Sequence, residues 1–111
     1  MAKLFAFDGD KMVGNCDVKK GLYRSAHVGV FGLVLKNGYR NDGIGRQIAE
    51  ATIKLAQERL GVRMVELHVY SENEPARNLY RKLGFVECGV LPEAIEYRGR
   101  MVDQIHMYKR L

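Results

Sequence analysis

Apolar and polar positions alternate weakly at the start of the chain, with Leu4 and Ala6 set against Phe5 and Phe7. Asp8-Gly9-Asp10-Lys11 is turn chemistry, so residues 3–7 and 12–19 are predicted to form a hairpin. A short loop over 21–25 leads into the strongest strand pattern, 26–36, with Val28, Val30, Phe31, Leu33, Val34 and Leu35. Apolar residues of both parities predict a central place in a sheet. The period then changes. Ile44, Ile48, Ala51 and Leu55, flanked by Ala49, Ile53, Ala56 and Leu60, form an apolar stripe wide enough to pack a helix on a sheet, with Gly61 as its C-terminal stop. Residues 62–70 return to alternation: Val65, Leu67 and Val69 on one face, Glu66, His68 and Tyr70 on the other. Ser71 or Asn73 can cap a second helix with Pro75 in its first turn, and Gly84 ends it. Strands at 85–90 and 101–108 follow, joined by a loop containing Tyr97-Arg98-Gly99-Arg100. The expected architecture is one mixed α/β domain over residues 1–111, without internal repeats or linkers.

Composition changes this picture little. Eighteen Lys and Arg against thirteen Asp and Glu leave a net charge of +5, compatible with nucleic acid, an acidic protein or a phosphorylated cofactor. The charges are scattered, without a dense basic run, and a solvated basic surface accounts for most of them. No apolar run is long enough to span a bilayer, and Met1 leads into a strand pattern rather than a signal-peptide layout. Cys16 and Cys88 lack metal-ligand spacing; free thiols in a reducing cytoplasm are favoured over a disulfide. No His, Cys and acid cluster points to a metal.

One stretch carries candidate chemistry. Tyr39-Arg40-Asn41-Asp42-Gly43-Ile44-Gly45-Arg46 joins the strongest strand to the first helix. A strand, a short glycine-bearing loop and a helix start aim unpaired N–H groups and the positive end of the helix dipole at one point. Two residues without a Cβ let phosphates approach the backbone, and Arg40 and Arg46 add fixed positive charge. The expectation is a pyrophosphate cradle.

Arg40-x-x-Gly43-x-Gly45 after a strand resembles the acetyl-CoA-binding signature of the GNAT N-acetyltransferase superfamily. Downstream, Asn73-x-x-Ala76-x-x-Leu79-Tyr80-x-x-x-Gly84-Phe85 resembles that family's second signature. The closing segment 97–107 is similar to the branch containing ribosomal-protein N-terminal acetyltransferases. The resemblance implies an acyl-CoA N-acyltransferase-like fold, a mixed and mostly antiparallel sheet with flanking helices. It also implies a first strand and one or two helices ahead of the hairpin at 4–19. Those are missing from a sequence that begins at the hairpin, so a truncated or minimal member is expected. A second copy is then expected to cover the bare sheet, giving a homodimer or higher oligomer.

By the same resemblance, backbone groups of Arg40, Asn41, Asp42, Gly43, Ile44, Gly45 and Arg46 bind the pyrophosphate of acetyl-CoA. Leu33, Val34 and Leu35 lie beside its pantetheine arm, and Asn73 contacts the cofactor or simply caps its helix. A backbone N–H at Val34 or Leu35 is the expected oxyanion donor. Tyr80 matches the general acid that protonates the leaving thiolate. Where many relatives carry a glutamate base this chain has Val30, leaving Glu66 and His68 as candidates. His27 and His106 have no partner arguable from sequence. Arg77, Arg81 and Lys82 are expected to form a basic helix face without nearby acids. The implied function is direct acetyl transfer to a primary amine, a peptide α-amino group or a small amine. The alternatives are a non-catalytic acyl-CoA-binding module and, less favoured, a basic nucleic-acid-binding domain.

Overall fold

The computed structural model describes residues 1–40 and 43–111. They form six strands and two α-helices, a mixed α/β architecture with mostly antiparallel pairing, as expected. Two compact units are present: Met1–Val65 with Arg110–Leu111, and Glu66–Lys109.

In the first unit, β1 (Ala2–Asp8) and β2 (Lys11–Lys20) form the expected hairpin. Gly9 supplies a positive φ of 62° at the turn. Ala6 faces Gly14 while Phe7 faces Met12, so a bulge takes up the extra residue, Val13. β3 (Val28–Leu35) pairs antiparallel with β2, from Gly14↔Leu35 to Lys20↔Gly29. A 3-10 turn at Tyr23–Ser25 lies within the expected loop. α1 (Ile44–Leu60) packs on one face of these strands, burying Ile48, Ala49, Ile53 and Ala56 with Cys16, Val18 and Phe31. Gly29 is required at that face, because a Cβ there would run into Cγ1 of Val18.

One expectation is corrected here. Ala51 is exposed and Thr52 is buried, because Thr52 lies between Ile48 and Ala49 on the helix face turned to the strands. Its hydroxyl donates to the Ile48 carbonyl at 2.7 Å, which satisfies the buried polar group. β3 takes the predicted inner place in the strand order, and one of its faces stays open. Val30 and Val34 are exposed, as are Phe5, Phe7 and Met12, since α1 protects only the other side of this unit's strands.

The second unit holds nearly all of β4 (Met64–Tyr70), then α2 (Glu74–Lys82), β5 (Val86–Tyr97) and β6 (Arg100–Arg110), with the strands in the order β4-β6-β5. Leu67 and Val69 of β4, Leu83 and Phe85, and Val102, Ile105 and Met107 of β6 are buried. Asn73 caps α2, its side-chain oxygen accepting from the Ala76 N–H at 3.3 Å, and Pro75 sits in the first turn. The helix closes in a Schellman arrangement. Phe85 N–H donates to the Tyr80 carbonyl, Gly84 N–H to the Arg81 carbonyl, and Gly84 takes φ 98°. The ammonium of Lys109 adds a bond to the Leu83 carbonyl at 2.6 Å.

The expected loop after residue 90 is replaced by strand. β5 continues to Tyr97 and turns through Arg98 and Gly99, both at positive φ, directly into β6. Leu91-Pro92-Glu93 has loop composition, yet it is absorbed by a register shift between Leu91 and Ile95, where proline is tolerated. Glu93, at φ 53°, has its N–H held by the Asp103 carboxylate at 3.0 Å. No helix among the described residues is long and apolar enough to cross a membrane.

Candidate active site

The start of α1 carries the first half of the candidate chemistry. Gly43 stands at the N-cap with φ 77°, and its carbonyl accepts the first helical bond, from Gln47 N–H, at 3.1 Å. Among the described residues no side chain caps this helix, and no acid occupies its first turn. The first-turn N–H groups, from Ile44, Gly45 and Arg46, therefore keep the anion-binding character of a helix N-terminus. Gly45 is buried and Gly43 exposed. Arg40 is exposed, and Arg46 forms a surface pair with Glu50 at 2.9 Å. Asn41 and Asp42 lie outside the described residues. The approach to the loop is anchored: the Tyr39 hydroxyl donates to Asp8 at 2.7 Å, and the Lys11 ammonium lies 6.0 Å from the Tyr39 ring centre.

The pairing of β3 with β2 narrows the oxyanion question. Lys36 N–H donates to the Val13 carbonyl, and Gly21 N–H donates to the Val28 carbonyl. Antiparallel alternation then turns the N–H and C=O of even-numbered β3 residues, Val34 included, toward β2. Those of Leu33 and Leu35 turn away from β2. Of the two expected donors, Leu35 is the one not directed into this ladder.

In the second unit, Glu66, His68 and Tyr70 occupy one face of β4, as the alternation predicts. His68 and Glu66 have side chains 42% and 43% exposed, with His68 Nε2 3.9 Å from Glu66 Oε1. The His68 ring stacks on that of His106, centroids 4.0 Å apart and planes 8° apart. Nε2 of His106 lies 3.4 Å from the side-chain oxygen of Gln104. Tyr70 stacks on Tyr97 at 4.7 Å, and the Arg98 guanidinium lies 5.1 Å from the Tyr97 ring centre. β4, β6 and the end of β5 thus share a polar, aromatic surface of two imidazoles, a carboxylate, a carboxamide and two phenols.

Tyr80 is only 8% exposed, its ring meeting Phe85 edge-on with centroids 6.0 Å apart. The Asn73 oxygen is engaged in the helix cap, which leaves its amide nitrogen for any ligand. The expected basic face of α2 is corrected. The Glu87 carboxylate accepts from Arg77 at 2.7 Å and from Arg81 at 2.9 Å. Those hydrogen bonds, Arg77's first, hold its carboxyl below the ordinary range. Arg77 also donates to the Ser71 carbonyl at 2.7 Å and to Glu74 at 3.2 Å, so it braces the start of α2 rather than facing solvent. Sequence pattern did not reveal this, because Glu87 lies beyond the helix on β5.

The two cysteines are free thiols. Cys16 is buried, and desolvation pushes its thiol up to about 12, which suits core packing rather than nucleophilic chemistry. No group of three potential metal ligands is present among the described residues.

A family model described as acetyltransferase (GNAT) family matches residues 2–85. The chain is 32% identical over 102 residues to an L-amino acid N-acetyltransferase of Escherichia coli, covering 90% of this chain and 62% of that protein. An acetyltransferase of the GNAT family from Streptococcus pneumoniae superposes with a TM-score of 0.90 at 29% identity, covering 98% of this chain and 66% of that one. A ribosomal-protein-alanine N-acetyltransferase from Brucella melitensis gives 0.87 at 27% identity, covering 98% and 68%. The chain therefore spans about two thirds of the length of these relatives.

Glu66, His68, Asn73 and Tyr80 fall within the second unit, and the β3 residues and the described loop residues within the first. Sequence reasoning missed His106 and Gln104. The available signal was that both share one face of a predicted strand.

Proposed function

Because this chain belongs to the acetyltransferase (GNAT) family, we propose that it transfers the acetyl group of acetyl-CoA directly to a primary amine in a ternary complex. The observation that carries this reading is the α1 start: an N-cap glycine at positive φ, no capping side chain among the described residues and no acid in the first turn. A helix end left that way is suited to a pyrophosphate. In this reading backbone groups from Arg40 through Asn41, Asp42, Gly43, Ile44 and Gly45 to Arg46 take the pyrophosphate. Leu33, Val34 and Leu35 run beside the pantetheine arm, with main-chain groups of Leu33 and Leu35 bonding it. Asn73 contributes its amide nitrogen.

The chemistry then needs four acts. Leu35 N–H stabilises the charge that gathers on the thioester oxygen. The amine lone pair attacks the carbonyl carbon, forming the C–N bond. The C–S bond breaks as that carbonyl reforms, and the Tyr80 hydroxyl protonates the departing thiolate. His68 accepts the proton the amine loses, with the Glu66 carboxylate 3.9 Å from its Nε2. An α-amino group, with pKa about 7.7–8.0, needs less help from such a base than a lysine at about 10.4. The amino acid and alanine acceptors named for two of the relatives favour the same class. We also propose a cytoplasmic location and, because one sheet face of the first unit is open, a homodimer or higher oligomer.

The test is acetyl-CoA binding by thermal shift, followed by free-thiol release with free L-amino acids, an Ala-initiated tetrapeptide, spermidine and an Nα-blocked lysine peptide. The expected result is stabilisation by acetyl-CoA and turnover with an α-amine. Stabilisation without turnover on any amine would instead establish a CoA-binding module. Salt-sensitive binding to nucleic acid with no response to acetyl-CoA would establish a basic binding domain.

A further inference from the structure

His68 stands on an exposed strand face, where an imidazole ordinarily samples several orientations about a broad χ2. Here its surroundings remove that freedom. One face lies on His106, with ring planes 8° apart and centroids 4.0 Å apart. Its Nε2 lies 3.9 Å from Glu66 Oε1. His106 is itself held against rotation in its ring plane, its Nε2 lying 3.4 Å from Gln104 Oε1. Glu66, His68, His106 and Gln104 form one chain of contacts, along β4, across to β6 and along β6. Neither ring belongs to the buried core, so the stack does little for folding; what it fixes is an orientation.

We infer that His106 is a positioning residue, a flat backing that sets the ring plane of His68 so that one nitrogen is presented to the attacking amine. This rests on the reading of His68 as the base. A general base acts only within hydrogen-bond reach and at a narrow angle, so loss of the backing lowers the chemical step while cofactor binding stays intact. Gln104 serves the pair at one remove by holding His106. The role requires a flat ring and no titratable nitrogen, which separates His106 from a second base.

The test compares His106→Leu, which keeps bulk and removes the ring face, with His106→Phe, which keeps a flat ring and removes both nitrogens. The acceptor is the amine from the panel above that gives the fastest thiol release with the unmodified chain. His106→Leu is expected to lower kcat about tenfold with the KM for acetyl-CoA within about twofold, and His106→Phe to restore kcat to within about threefold. In His68→Gln, adding His106→Leu should cost nothing further, because the backing then has nothing to orient. The His68 ring proton resonances should move downfield in His106→Leu as the stacked ring is lost. Unchanged kcat in His106→Leu overturns the inference, as does equal impairment in His106→Phe or an additive loss in the double variant. If His106→Leu fails to fold, His106→Phe alone decides: a loss above about tenfold would make the nitrogens essential. Absence of turnover by the unmodified chain with every amine defeats the acetyltransferase reading itself, and the inference with it. Turnover that is indifferent to His106 defeats only the inference.

Discussion

Tyr80 serves two ends at once, and the spacing around it explains how. In the Schellman arrangement the third residue before the cap offers its carbonyl to the second residue beyond it, and the two side chains pack together. Here those residues are Tyr80 and Phe85, with Gly84 supplying the positive φ between them. The Tyr-x-x-x-Gly-Phe spacing is thus the geometry of a helix end, and it fixes the Tyr80 ring before any ligand arrives. Tyr80→Phe keeps the ring, the helix end and the edge contact, and removes only a hydroxyl. The expected result is a loss of about a hundredfold in kcat with acetyl-CoA affinity nearly unchanged. Steady-state kinetics beside a binding titration would check it, and equal turnover in the variant would remove the acid role. Asn73 shows the reverse case. Its side-chain oxygen is spent on the Ala76 N–H, so the structural function offered by its sequence position is present alongside any contact with cofactor.

Among the elements, α1 is where fold and proposed chemistry separate most cleanly. A glycine at the N-cap forgoes only roughly a few tenths of a kcal/mol that an Asp, Asn or Ser would provide. Gly43→Asp tests why that is forgone. Aspartate tolerates the left-handed region better than most residues and interacts well with the helix dipole, so stability should change by less than about 1 kcal/mol. A carboxylate at the same N–H groups competes with a pyrophosphate, so acetyl-CoA affinity should fall at least about tenfold, or 1.4 kcal/mol. A variant that binds acetyl-CoA as the parent does would reduce Gly43 to a turn residue. This element was legible in sequence because its signals are local: a glycine at the cap, a stripe of helical period, a glycine at the stop. β5 was not. Its bulge joins a proline, a positive-φ Glu93 and the Asp103 carboxylate of the neighbouring strand, and composition alone gives such a stretch as a loop. The stacked imidazoles were hidden for the same reason. Each histidine was visible on its own strand, but their meeting depends on a register between strands distant in the chain. Arg77 and Glu87 likewise meet only once α2 has turned back into β5.

For the molecule as a whole, the feature that demands an explanation is the face of β1, β2 and β3 opposite α1. Val34 is 63% exposed and Phe7 61%, with Phe5, Met12 and Val30 also open. These residues share one face of the three strands, Phe7 opposite Met12, and Phe5 and Val34 on either side of Asn15. Lys3 faces Asp17 and Val30 faces Lys19 on that surface, giving it both charge signs. A face that combines exposed apolar side chains with both charge signs can be self-complementary about a two-fold axis, as a homodimer interface must be. The expectation is a sedimenting mass of two chains at micromolar concentration. Phe7→Glu should shift that mass to one chain, because a carboxylate in place of this ring is buried unpaired in the dimer. α1 protects the opposite face, so the monomer formed should keep its secondary structure by circular dichroism. A parent chain that sediments as a monomer, or a Phe7→Glu variant that remains a dimer, would place the association elsewhere and leave these five side chains to another occupant.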